Sequence, residues 1–156
     1  MMNDMKKTLP ILMATAISFA AFTFNASAEN KNMNTSEKDK VVALLNSIET
    51  GDQKAAAYIN ANKYIQHNLA VADGLAGFGA VLQALPKGSA KVDVKRTFQD
   101  GDFVFTHTDY NFFGPKVGFD LFKFEEGKIV EHWDVIEPIA PKSEWKNNNG
   151  KFGGLK

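Results

Sequence analysis

The chain contains no cysteine and a single arginine, Arg96. Without cysteine there can be no disulfides, thiolate metal sites or sulfur nucleophiles, so stability must come from packing. An excess of charge is missing too: eighteen basic and eighteen acidic side chains cancel. That balance favours neither nucleic acid nor an anionic membrane surface as partner. No Gly-x-Ser-x-Gly elbow is present, and Gly77-Phe78-Gly79 lacks the preceding strand and full glycine pattern of a phosphate loop. No His-x-x-x-His or similarly close spacing marks a metal site, although three histidines and two aspartates are the residue types of a two-histidine, one-carboxylate centre. Neither a metal nor a cofactor is expected.

One long hydrophobic run is there, at the start. Lys6 and Lys7 precede an apolar stretch from Leu9 to Phe24, and Ala26-Ser27-Ala28 follows it. These are the three regions of a secretory signal, with cleavage expected after Ala28. Pro10, Thr15 and Ser18 interrupt the stretch, which falls short of the roughly 20 apolar residues of a spanning helix. The expectation is therefore a periplasmic or secreted protein with no membrane attachment once residues 1–28 are removed. Residues 29–36 read as a flexible leader, residues 37–140 as one domain and residues 141–156 as a loosely ordered tail that Trp145 and Phe152 could strap to the body.

Within the domain, Ser36 with Asp39 three residues on suits a helix start, and Val41, Val42, Leu44, Leu45 and Ile48 follow at helical spacing. Gly51 suits the stop, and Asp52 a cap for a second, Ala-rich helix. A third helix fits Leu75 to Leu85. After Ser89 the pattern alternates: Lys91 to Phe98, Asp102 to Phe112, Val117 to Phe124 and Lys128 to Ile136 read as strands. Asp100-Gly101, Gly114-Pro115 and Glu126-Gly127 separate them as short turns, so neighbours are antiparallel. Helices followed by a meander predict an α+β domain with the helices covering one sheet face.

The last hairpin carries the chemistry. A three-residue loop, Glu125-Glu126-Gly127 with a glycine bulge, would face Phe124 with Lys128, Phe122 with Val130 and Asp120 with His132. Asp134 lies two residues along the same face, so two carboxylates and an imidazole share one surface. A one-residue slip would instead put Asp120 on the face of Glu131 and Trp133. Phe122, Phe98, Phe103, Phe105 and Phe112 are expected to make much of the surrounding wall aromatic, as in a small-molecule pocket, where desolvation would favour general-base chemistry. A solvated surface pair between Asp120 and His132 explains the pattern equally well. His67 and His107 have no derivable place relative to this surface.

The segments Tyr64-Ile65-Gln66-His67-Asn68, Asp73-Gly74 and, above all, the run from Phe119 to Val135 resemble the SnoaL-like proteins of the nuclear transport factor-like superfamily. The resemblance implies a cone, in which a curved antiparallel sheet wraps about three helices around a deep pocket. In the polyketide cyclases of that family, an aspartate next but one to a histidine on a late strand is the acid/base of an aldol closure. His132-Trp133-Asp134 matches that arrangement, which carries the catalytic role over to Asp134 with His132 beside it; the hairpin register adds Asp120. By the same resemblance His67 would face the pocket from the helical side; Phe122, on the face of Asp120 and His132, and Tyr64 and His107 are expected as further ligand contacts. Leu69 stands where many relatives have proline, and Glu137 where glutamine is common.

The function this implies is metal-independent proton abstraction next to a carbonyl, of the aldol-condensation or isomerase type, on a small apolar or carbonyl-containing ligand. The alternative is a non-catalytic periplasmic module binding such a ligand. An epoxide hydrolase would need an Asp-Arg-Asp set, and Arg96 lies on a different strand from Asp120 and Asp134. The sheet's outer face, with Trp133 and Val135, is expected to pair two copies into a homodimer.

Overall fold

The computed structural model describes residues 35–85 and 88–154. The expected signal peptide, and the leader up to residue 34, lie outside the described residues. Among the described residues no helix is long and apolar enough to cross a membrane. Ser36 caps as its spacing predicts: its hydroxyl oxygen accepts from the Asp39 amide at 3.2 Å and its proton goes to the Asp39 carboxylate at 2.6 Å. This satisfies an amide with no partner inside the helix. The first helix, α1 (Glu37–Thr50), stops at Gly51, which adopts φ 71° and donates to the Ser47 carbonyl. Val41, Leu44 and Leu45 form its buried stripe.

Four long strands follow in the second half: β2 (Lys91–Asp100), β3 (Phe103–Asn111), β4 (Pro115–Glu125) and β5 (Lys128–Pro138). A two-residue β1 (Ile65–Gln66) precedes them, giving the order β1-β5-β4-β3-β2. The meander is antiparallel throughout, but β1 runs parallel to β5, a pairing the sequence pattern did not suggest. The domain is α+β, a curved open sheet whose inner face is covered by helices. Two bulges, at Lys95 of β2 and Val130 of β5, shift the register of the ladder.

The Ala-rich segment is not the α-helix expected. It is a 3-10 helix, Gln53–Tyr58, opened by the Asp52 carboxylate accepting from the Lys54 amide. The physical reason lies downstream. Ile59 bridges Ile129 and the Asn60 amide donates to the Ile129 carbonyl, so the chain must already be extended by residue 59. The third helix, α2 (Gly74–Ala84), sits within one residue of its predicted limits.

The last hairpin corrects the expected register while keeping its faces. Glu126 and Gly127 both take positive φ, 49° and 72°, making a two-residue loop with Glu125 opposite Lys128. Lys40 of α1 donates to the Gly127 carbonyl at 2.9 Å and holds that turn. By itself this loop is the one-residue slip that would turn Asp120 outward. The bulge at Val130 restores the parity, so Phe122 faces His132 and Asp120 faces Asp134.

Phe98, Phe103 and Phe105 are also corrected: they stand on the outer face, 36–55% exposed, because Thr106 and not Phe105 pairs with Asp120. Phe119 continues that outer row, stacked on Phe105 with ring centroids 5.7 Å apart. Phe152 packs against His107 at 5.1 Å, the Trp145 indole donates to the Ala140 carbonyl, and Lys151 pairs with Glu137.

A glycine inside a strand needs a reason, and Gly118 has one. A β-carbon there would lie 2.3 Å from the Tyr110 ring, which crosses the strand at that point. Gly118→Ala should therefore cost about 1–3 kcal/mol as an overpacked core substitution does, read as a lower denaturation midpoint. An unchanged midpoint would mean that the ring does not lie there.

Candidate functional site

Alternation on three strands assembles the site. On β5 it turns His132, Asp134 and Ile136 inward; on β4, Asp120 and Phe122; on β3, Thr106, Thr108 and Tyr110. Around β1 the same period presents Tyr64, Gln66 and Asn68 to the cavity. That segment is pinned at several points. The Gln66 amide donates to the Asp73 carboxylate at 2.8 Å, the Gly74 amide to the Tyr64 carbonyl and the His67 amide to the His132 carbonyl.

Asp120 is 2% exposed and takes three hydrogen-bond partners. Its Oδ2 accepts from the Thr106 hydroxyl at 3.0 Å and the Tyr110 hydroxyl at 2.9 Å, and its Oδ1 lies 3.3 Å from His132 Nε2. The other imidazole nitrogen, Nδ1, sits 3.0 Å from Gln66 Oε1. Both ring nitrogens are thus engaged. Gln66 Nε2 in turn donates to the Tyr64 hydroxyl oxygen at 3.1 Å, which leaves the Tyr64 proton for the cavity. Asp134 is held differently: Asn68 Nδ2 donates to its Oδ2 at 2.7 Å, while Oδ1 takes no hydrogen bond from any described residue. One carboxylate is saturated and the other is half open.

The cavity in front of these groups holds about 140 Å³. Leu44, Leu45, Ile48, Phe78, Val81 and Leu85 supply its helical wall, and Phe112, Phe122 and Ile136 close the sheet side. Asp120, His132 and Asp134 bring one ligand atom each within 4.8 Å of the others, close enough to share an ion. An ion shared by the three would have to use Asp120 Oδ1, because the Thr106 and Tyr110 hydroxyls already fill Oδ2.

Five of the seven residues singled out from the sequence therefore meet here: Asp134, His132, Asp120, Tyr64 and Phe122. His67 does not. It lies on the outer face, stacked on Trp133 at 4.3 Å and 3.3 Å from Glu131, because it alternates out where Gln66 and Asn68 alternate in. His107 is also outside, between Phe119 and Phe152, with Nε2 buried and unpartnered. Burial pushes that imidazole's pKa down, and Arg96 adds to the effect. The groups sequence reasoning missed are Gln66, Asn68, Thr106 and Tyr110. The signal was available in the every-second-residue polar pattern of Tyr64-x-Gln66-x-Asn68 and Thr106-x-Thr108-x-Tyr110.

Comparison with known proteins agrees with this architecture. The profile of the SnoaL-like domain matches residues 41–132. The chain belongs to the SnoaL-like family. Its solved structural neighbours include an NTF2-like protein of unknown function from Cytophaga hutchinsonii, with 19% identity, a TM-score of 0.55, and coverage of 66% of this chain and 91% of that one. A candidate ketosteroid isomerase from Kribbella flavida gives 13% identity and a TM-score of 0.60 over 77% and 95% of the two chains. IdmH, a candidate polyketide cyclase from Streptomyces antibioticus, gives 18% identity and a TM-score of 0.52 over 65% and 92%. No curated protein matches. At these identities the structural likeness establishes the nuclear transport factor-like fold of this SnoaL-like domain and nothing finer.

Both cavity tyrosines are held as neutral donors. Burial pushes the Tyr64 phenol pKa well above its ordinary value, and the charges of Asp120 and Asp134 push it further. Tyr110 is raised for the same first reason and by its neighbour Asp120. An unfolded phenol ionises near pH 10. The folded protein therefore keeps protons that the unfolded chain loses, and stability that is complete below about pH 10 should fall as pH rises beyond it. Absorbance titration at 295 nm should show two of the three tyrosines refusing to ionise until the alkaline unfolding transition. Smooth titration of all three in the folded protein would contradict this environment.

Proposed function

We propose that this SnoaL-like domain abstracts a proton from the carbon next to a carbonyl, with Asp134 as base. One observation carries the reading: Asp134 Oδ1 is uncommitted and shares its cavity with the spare proton of the Tyr64 hydroxyl. A ligand carbonyl accepting from Tyr64 would bring its α-carbon to Asp134. The α-proton goes to Asp134, the C–H electron pair becomes a carbon–carbon double bond, and the carbonyl π pair moves onto the oxygen held by Tyr64. Returning the proton at another carbon completes an isomerisation; attack of the enolate carbon on a second carbonyl, whose π pair moves to its oxygen and takes the proton back from Asp134, completes an aldol closure. Asn68 orients the base. His132, with both nitrogens engaged, orients Gln66 and through it Tyr64. Tyr64, rather than His67 on the outer face, is the donor to the developing enolate oxygen.

Asp134→Asn keeps the shape and the Asn68 side of the carboxylate but removes the proton acceptor. Deuterium exchange at the α-carbon of a bound ketone should fall by about 100-fold to 10,000-fold, with affinity retained. Wild-type protein that binds the ketone without any exchange would favour the alternative, a non-catalytic module that binds a small apolar ligand. The proposal includes export through residues 1–28 to the periplasm or beyond.

We propose in addition that two copies pair through the outer sheet face. Phe98, Phe103, Phe105, Phe119 and Val135 leave a row of exposed apolar side chains there, of a kind monomers seldom retain. Sedimentation at micromolar concentration should give a dimer, and Phe119→Lys a monomer; a monomeric wild type would remove the pairing.

A further inference from the structure

We propose that the ligand is a compact, uncharged, single-ring carbonyl compound, bound with its oxygen toward Tyr64. This deepens the reading of the cavity as a site for a carbonyl ligand and rests on it.

Size is the first constraint. A cavity of about 140 Å³ is close to the roughly 150 Å³ at which an apolar protein cavity accepts benzene. It offers room for one six-membered ring, whereas the further rings of a fused skeleton would have to displace the wall or stand outside it at the open side. That wall resists displacement at its deep end, where Leu44, Phe122 and Tyr110 are each 1% exposed. Adding atoms to a packed core of this kind is itself costly.

Charge is the second. Among the described residues no lysine or arginine lines the cavity, while two carboxylates, Asp120 and Asp134, do. A carboxylate or phosphate on the ligand would be buried beside like charge with only His132 to offset it, which is strongly unfavourable.

The third constraint is the small supply of unused polar capacity. Asp120 and His132 are spent on one another and on Thr106, Tyr110 and Gln66. What remains toward the ligand is the Tyr64 proton and the second amide protons of Gln66 and Asn68 as donors, with Asp134 Oδ1 as the acceptor left open. Such a set suits a carbonyl, which only accepts, and leaves most hydroxyl protons of a sugar or polyol against leucine and phenylalanine without an acceptor.

The test is a binding series on the wild-type protein by NMR titration, with cyclohex-2-enone, a steroid 3-ketone, and the matched pair 4-oxocyclohexanecarboxylate and its carboxamide. Cyclohex-2-enone should bind saturably and the four-ring ketone at least about tenfold more weakly. The carboxylate should bind at least about tenfold more weakly than the carboxamide. Tyr64→Phe should weaken the enone by about threefold to tenfold, as loss of one hydrogen bond does, and leave toluene, which has no acceptor, unaffected. A steroid that binds as tightly as the enone, a carboxylate equal to its amide, enone affinity indifferent to Tyr64→Phe, or no saturable ring ketone at all would each overturn the assignment. Binding needs no turnover, so the two readings separate. Ring-size selection without α-exchange keeps this inference and removes the base; exchange on a tightly bound steroid does the reverse.

Discussion

A carboxylate in an apolar interior must be met by donors or it will not stay, and the inner face of this sheet is arranged around meeting Asp120. Its partners come from three directions: Thr106 directly across on β3, Tyr110 from further along the same strand, and His132 from β5. Each imposes a condition. Tyr110 reaches Asp120 by crossing Gly118, where a side chain would collide with its ring. Thr106 is itself approached by the Thr108 hydroxyl at 3.3 Å. His132 must turn one nitrogen to Asp120, which directs the other to Gln66 and brings β1 into the network. A half-satisfied polar network in a core is worse than none, so these residues stand or fall together.

Saturation of Asp120 is what makes Asp134 different. The two carboxylates face each other across the β4–β5 pair, yet one is filled by hydroxyls and the other retains an open oxygen beside the cavity. Environment, rather than residue type, separates a structural anion from a candidate base. Parallel pairing of β1 on β5 completes the division, since it brings Asn68 to Asp134 and Gln66 to His132 with a two-residue strand.

The opposite face follows another logic. His67 on Trp133, His107 on Phe119 and the aromatic row through Phe105 are ring stacks, with His67 also joined to the ion pair of Glu131 and Lys123. Phe152 returns from the tail to cover one end, and a pairing copy is proposed for the rest. The same alternation that concentrates hydroxyls and carboxylates inside thus concentrates aromatic rings outside.

Sequence alone was enough for what depends on neighbours along the chain. The Ser36 cap, the Gly51 stop, the strands after Ser89 and the shared face of Asp120, His132 and Asp134 all rest on local periodicity or turn chemistry. The resemblance of residues 119–135 added the curved sheet. Only the tertiary structure could decide what depends on contacts between distant segments. Pairing of residues 59–67 with β5 shortened the Ala-rich helix and turned His67 outward. The register of the last hairpin needed two departures from the expected loop, a left-handed Glu126 and a bulge at Val130, whose effects on facing cancel. The placement of His107, and of the phenylalanines of β2 and β3, hung on which residue of β3 met Asp120. Periodicity says that residues two apart share a face, but which face becomes the interior is settled by the helices that cover it.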